Sequence, residues 1–151
     1  MVAITKFEDI EAWQVARTLA GNVYKLTGKG HLSRDFGLRD QLQRSAVSIM
    51  ANIAEGFGRR GRQEFIQFLK IARGSCSEVE SHLYVALDAG LIAEPDFKQL
   101  KVQAETTGRK LSAFIRYLSN QNTKTPNDQI TKSPKHQITK APKHQITKKA
   151  R

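Results

Sequence analysis

The chain has 151 residues, a formal net charge of +11 and a single cysteine. One cysteine excludes an intramolecular disulfide framework and a cysteine-based zinc site, and no run of about 18 apolar residues is present to span a membrane. With 39% hydrophobic and 26% charged residues, the composition is that of a globular protein with material for one core.

Residues 1–6 lack the apolar centre of a signal peptide, and Glu8, Asp9 and Glu11 follow at once, so a cytoplasmic location is expected. The first predicted helix covers about residues 9–26. Trp13, Ala16, Ala20 and Val23 trace its apolar face, and Thr27-Gly28-Lys29-Gly30 breaks it. A second helix is predicted over 35–55, with Leu38, Leu42, Ala46, Ile49 and Ile53 at helical spacing.

The third predicted helix, 62–89, carries Phe65, Leu69, Ala72, Cys76, Val79, Leu83 and Ala86 in alternating steps of three and four. Gly90 is placed to cap its C-terminus. The fourth begins at the Pro95-Asp96 start signal and ends at Ser119-Asn120. Its seam is Phe97, Leu100, Ala104, Thr107, Leu111, Phe114 and Leu118. No segment alternates with period two between turn residues. The predicted fold is therefore all-α, an antiparallel up-down-up-down four-helix bundle over residues 1–120.

Residues 121–151 read differently. They hold seven Lys and one Arg against Asp128, a net of +7, while residues 1–120 hold 17 basic and 13 acidic residues, a net of +4. The segment repeats an octapeptide at 125–132, 133–140 and 141–148, each copy ending Gln-Ile-Thr-Lys with proline second. One Ile and one Pro per eight residues neither bury a core nor sustain a helix, so a disordered basic tail is expected. Two readings of it stand side by side: an arm that attracts nucleic acid, and a solvated remnant of tandem duplication.

Helices two and three carry more apolar surface than one seam needs. Ala46 to Ala54 is interrupted only by Ser48 and Asn52, and the third helix adds Ile66, Phe68, Ile71, Val85 and Leu87 off its seam. A helix apolar nearly all round is covered on more than one side. Mid-helix Gly21 and Gly74 each cost roughly 0.5–1 kcal/mol relative to Ala, a cost that close approach of a neighbouring subunit would explain. Self-association is expected, with Val47, Met50 and Phe68 at the interface.

Among polar groups, Ser45 and Asn52 fall at seam positions of the second helix and, with Glu55, are expected to form an internal polar network. Glu55 stands one turn from Arg59, which points to an ion pair across the turn. The turn Gly56-Phe-Gly-Arg-Arg-Gly-Arg62 joins three glycines to Arg59, Arg60 and Arg62, whose planar forks match phosphate oxygens. It is not a nucleotide loop, having no preceding strand and no Gly-Lys-Ser/Thr. As a phosphate-contacting surface it is the first choice, with Lys98, Lys101 and Arg109 second. Glu78 and His82 form one i, i+4 pair with no second, which excludes a di-metal bundle site. Cys76 lies on a core seam, and no histidine accompanies a serine or cysteine as in a nucleophile pair. No cofactor, metal or enzymatic activity is expected.

The stretch Gln41-Leu-Gln-Arg-Ser-Ala-Val-Ser-Ile-Met-Ala-Asn-Ile-Ala-Glu-Gly56, with Phe57-Gly58-Arg59, Glu64-Phe65, Ile71-Ala-Arg-Gly-Ser-Cys-Ser-Glu78 and Gly90-Leu-Ile92, resembles the four-helix bundle protein family. Its members were first noticed as proteins encoded in intervening sequences of 23S ribosomal RNA genes. Phe7-Glu-Asp-Ile10 and Trp13 also fit, and the resemblance covers about residues 6–119. It implies a bacterial bundle assembling as a ring-like homopentamer. More distantly, the chain is similar to the accessory variability determinant of diversity-generating retroelements, a basic pentameric bundle that binds nucleic acid and a reverse transcriptase. Two functions follow as expectations: an oligomer that binds RNA or DNA through backbone charge, and a protein-interaction scaffold without a nucleic-acid role.

Overall fold

A computed structural model describes residues 3–121; the repeat segment and residues 1–2 lie outside the described residues. The elements are α1 (Glu11–Thr27), α2 (Phe36–Phe57), α3 (Arg62–Asp88) and α4 (Glu94–Asn120), with 3-10 turns at Phe7–Asp9 and Leu32–Arg34. There is no strand among the described residues. The four predicted helices are all present, and the two 3-10 turns had no sequence signal.

Each boundary has a local cause. The Asp9 carboxylate accepts hydrogen bonds from the Thr5 backbone and hydroxyl, 3.0 Å each, and from the Lys6 N–H at 3.2 Å. These donors, the Thr5 backbone first, hold its carboxyl below the usual aspartate value. The turn so fixed delivers Phe7 edge-on to Trp13 at 5.1 Å and buries Ile10 at the head of α1. At the far end, buried Thr27 donates to the Val23 carbonyl at 2.8 Å and accepts from Gln43 Nε2 at 2.9 Å, tying α1 to α2. Asp35 then caps α2 by accepting the Leu38 N–H at 3.0 Å.

α3 ends in a full Schellman motif. Gly90 takes φ +69°, its N–H donates to Leu87 at 3.0 Å, and Leu91 N–H reaches Ala86 at 2.9 Å. α4 starts at Glu94, two residues before the position the Pro95-Asp96 signal marked. Proline lacks only an N–H that the first turn leaves unpaired, so it sits inside that turn without loss.

Neighbouring helices run antiparallel, α1 against α2, α2 against α3, α3 against α4, with α4 closing back on α1. Two polar contacts join α4 to α1: Asn22 Nδ2 donates to Gln103 Oε1 at 3.0 Å, and Lys110 pairs with Glu11 at 2.5 Å. Inside, the predicted seams of α3 and α4 are buried along their length, Phe114 alone being half-buried. Leu42, Ile49, Leu69, Val79, Leu83 and Leu111 are fully enclosed, joined by Leu19 and Leu32. Burying side chains of this size is worth about 1.5–3 kcal/mol each.

Two expectations about excess apolar surface change. Ile66 is buried in this chain's own core, and Leu87 and Met50 pack against that core. Of the residues named for it, Val47 (40%), Ile71 (53%) and Val85 (52%) stay exposed, and α2 and α3 also expose Phe36 and Tyr84. The period-based reading undercounted the core because a bundle helix in contact with two neighbours buries more than a two-position seam.

Candidate nucleic-acid interface

The α2–α3 turn is built by close packing rather than left open for a ligand. A Cβ on Gly56 would lie 2.5 Å from Phe68 Cβ and 2.8 Å from a Phe65 ring carbon. Glycine is therefore required for the two helices to meet here, and Gly56 is buried. Gly58 closes α2, its N–H donating to the Ala54 and Glu55 carbonyls at 3.2 and 3.1 Å. Gly61 is the extended N-cap of α3, which starts without a side-chain cap. Beneath the turn, Phe57 meets Phe65 edge-on at 6.1 Å, and Phe65 meets Phe114 at 5.6 Å. That aromatic row places the turn beside the last turns of α4, from which the chain continues into residues 121–151.

Arg59 is not an open fork. Its Nη2 sits 2.5 Å from Glu55 Oε1, its Nε 3.6 Å from Glu64 Oε1, and its guanidinium lies 5.1 Å over the Phe68 ring. The expected Glu55–Arg59 pair is present, and it occupies the arginine placed first among phosphate contacts. Arg60 is exposed, and Arg62 opens α3 half-buried. Of the second-choice group, Lys98 pairs with Glu94 at 3.0 Å, and Lys101 pairs with Glu105 one turn on. Their hydrogen bond raises the Lys101 pKa and lowers that of Glu105. Arg109 is exposed and donates to Thr106 Oγ1 at 3.0 Å. Three of the six cations, Arg59, Lys98 and Lys101, thus hold carboxylate partners.

Ser45, Asn52 and Glu55 are not joined to one another. Ser45 Oγ donates back to its own helix, at 2.9 Å from Gln41 O and 3.1 Å from Leu42 O. Asn52 Nδ2 instead donates to Ser48 O at 2.8 Å and to Ser48 Oγ at 3.0 Å. Ser48 Oγ lies 2.9 Å from Ser75 Oγ, and Ser75 Oγ lies 3.2 Å from Ile71 O. Each hydroxyl has one hydrogen, so the self-consistent chain runs from Asn52 to Ser48 to Ser75 to the Ile71 carbonyl. Ser48 and Ser75 were missed from sequence because a serine in an apolar run signals nothing until its partner is known.

The residues expected at a self-association interface lie on α2 and α3. Val47 is exposed, Met50 is half-buried against the core, and Phe68 is half-buried under Arg59. Gly21 and Gly74 are exposed, and a Cβ on either would meet nothing within 4 Å.

Burial pushes the Cys76 thiol up to about 12, which leaves negligible thiolate near neutral pH. Among the described residues no group of three or more His, Cys, Asp or Glu is placed to hold a metal ion, and no helix is long and apolar enough to cross a membrane.

A protein of unknown function from the S23 ribosomal protein family of Bacteroides thetaiotaomicron shares this fold, with a TM-score of 0.64. The two chains are 23% identical over 70% of this chain and 98% of that one. No match is found among curated proteins. The sequence pattern of the 23S rRNA-intervening sequence proteins matches residues 8–113, from the turn that opens α1 to the last turns of α4. By that match, which spans the bundle, the chain belongs to the 23S rRNA-intervening sequence protein family.

Proposed function

We propose that this protein is a non-enzymatic, cytoplasmic, self-assembling bundle that binds RNA or DNA through backbone phosphates. The observation that carries the reading is a set of arginines at the end of the bundle from which the chain continues into residues 121–151. The α2–α3 turn presents exposed Arg60 and half-buried Arg62. Arg116 is exposed on α4 in the same last turns as Phe114, at this end of the bundle but on another side of the helix. Residues 121–151, net +7, attach covalently at this same end. Arginine clusters with an uncapped helix start suit phosphate oxygens, and such contacts release counterions without reading bases.

Self-assembly is supported by exposed Val47, Ile71 and Val85 on the sides of α2 and α3. The number five comes from the family resemblance, and so does a partner protein such as a reverse transcriptase docking on the assembled ring. The competing reading is a scaffold for proteins alone.

The test compares the full chain with one ending at Asn120 in RNA binding across salt. The shorter chain keeps all four helices, the last of which ends at Asn120. Shortening should weaken binding without abolishing it. Arg60→Gln, Arg62→Gln and Arg116→Gln together should then flatten the salt dependence by roughly 0.7–0.9 log units per lost phosphate contact. A bundle that binds nothing at low salt would leave the scaffold reading in possession.

A further inference from the structure

The outward face of α1 combines three features that the packing of this chain's own helices does not use. Arg17 and Lys25 are exposed and have no carboxylate partner among the described residues, in contrast to Arg59, Lys98, Lys101 and Lys110. They stand four residues before and four after Gly21, so they flank it on either side of the helix face. Gly21 has open space where its Cβ would be, leaving bare backbone between the two cations. Glycine there is poorer than alanine for the helix, and no intramolecular contact calls for it.

The rest of the face is uncharged and hydrogen-bonding. Gln14, Thr18 and Asn22 line one shallow groove together with Arg17, Gly21 and Lys25. Glu8 enters only at its N-terminal end. Arg17 also lies 5.7 Å over the Trp13 ring, which fixes the direction of its guanidinium. Along the axis, Arg17 and Lys25 are about 12 Å apart at 1.5 Å per residue, the rise of roughly three to four stacked nucleotides at about 3.4 Å each. The N-terminal end of α1 lies against the C-terminal half of α4 through Glu11 and Lys110, so the groove runs away from the basic end of the bundle.

We infer that this face is a phosphate track, on which Arg17 and Lys25 contact a nucleic-acid backbone and Gly21 lets it lie close to the helix. The inference rests on the nucleic-acid reading above and adds to it a defined surface. Two cations against the single carboxylate of Glu8 at one end make the groove a complement to a polyanion. An apolar partner helix would find no apolar stripe here.

The experiment measures fluorescence anisotropy of a labelled oligouridine of about 20 nucleotides with the full chain, over a salt series. Arg17→Gln combined with Lys25→Gln should lower the log–log salt slope by about 1.4, and weaken binding roughly 20-fold at 0.1 M salt. Lys25→Gln alone, which touches no aromatic partner, should give about half the slope change. Gly21→Leu should keep the helix and lower affinity by blocking close approach. Light scattering on each variant reports the assembly state. If the wild type binds and these variants bind equally well, the track is wrong and the basic-end reading survives. If Gly21→Leu changes the assembled mass, the face is a subunit contact and the inference fails. If the wild type binds no nucleic acid, both fail together.

Discussion

Ser48 Oγ and Ser75 Oγ lie 2.9 Å apart across the α2–α3 interface, with Asn52 feeding the first and the Ile71 carbonyl ending the chain. The link ties two helices by a polar contact in a half-buried position. Ser48→Ala and Ser75→Ala should each destabilise by about 0.5–1.5 kcal/mol in urea unfolding. A double-mutant cycle should return a coupling of at least about 0.5 kcal/mol. Strict additivity would mean that the two hydroxyls do not bond in solution.

Two glycines should respond to alanine with opposite signs. Gly56→Ala drives a Cβ into Phe68 and Phe65, and should cost about 1–3 kcal/mol or more as the turn reopens. Gly21→Ala meets nothing, and should stabilise by about 0.5–1 kcal/mol through helix propensity alone. Melting temperatures of the two variants should move apart on either side of the wild type.

Leu83 is fully enclosed in the α3 seam. Leu83→Ala should cost about 2–5 kcal/mol, against under about 0.5 kcal/mol for a substitution at exposed Ser81 on the same helix. A small loss at Leu83 would show that the seam is not packed as described.

The pH dependence has a definite sign at Cys76. Its folded pKa is raised by burial from 9.0 to about 12. A group raised on folding gives stability that is complete below its unfolded value and is lost as pH climbs toward the folded one. Stability should therefore fall from about pH 9 upward, and Cys76→Ala should lessen that fall. At pH 8 the native thiol should resist a disulfide reagent for as long as the protein stays folded, then react at once in guanidinium.

Val47 and Ile71 are large, apolar and exposed. Val47→Glu or Ile71→Glu should lower the assembled mass seen by light scattering while leaving far-UV helicity unchanged. A wild-type mass of about 17.0 kDa, that of one chain, would contradict self-assembly.

The sequence by itself determined the helices. Period carries that information locally: a residue such as Val79 or Leu100 is assigned to the inside by its spacing from the next apolar residue, whatever it packs against. Terminators are local as well, which is why Gly90 was legible as a cap. The start of α4 was misplaced by two residues because proline fits the first turn as readily as it precedes it. Residues 8–113 also carried the family in their motifs.

Only the tertiary structure decided how the polar groups are used. Ser48 meets Ser75 because antiparallel α2 and α3 pass at a particular register, a quantity that neither helix encodes alone. Arg59 read both as a partner of Glu55 and as a phosphate fork; the structure keeps the pair and adds Glu64 and the Phe68 ring around it. Gly56 read as one glycine of a basic turn that a partner could approach, and proved to be a steric requirement of α2 meeting α3. Arg17 and Lys25, unremarkable in the sequence, became the cations without acidic partners on α1. A charge is available to a ligand only when no carboxylate sits within a few ångströms, and that distance is set by side chains brought together from different turns and helices.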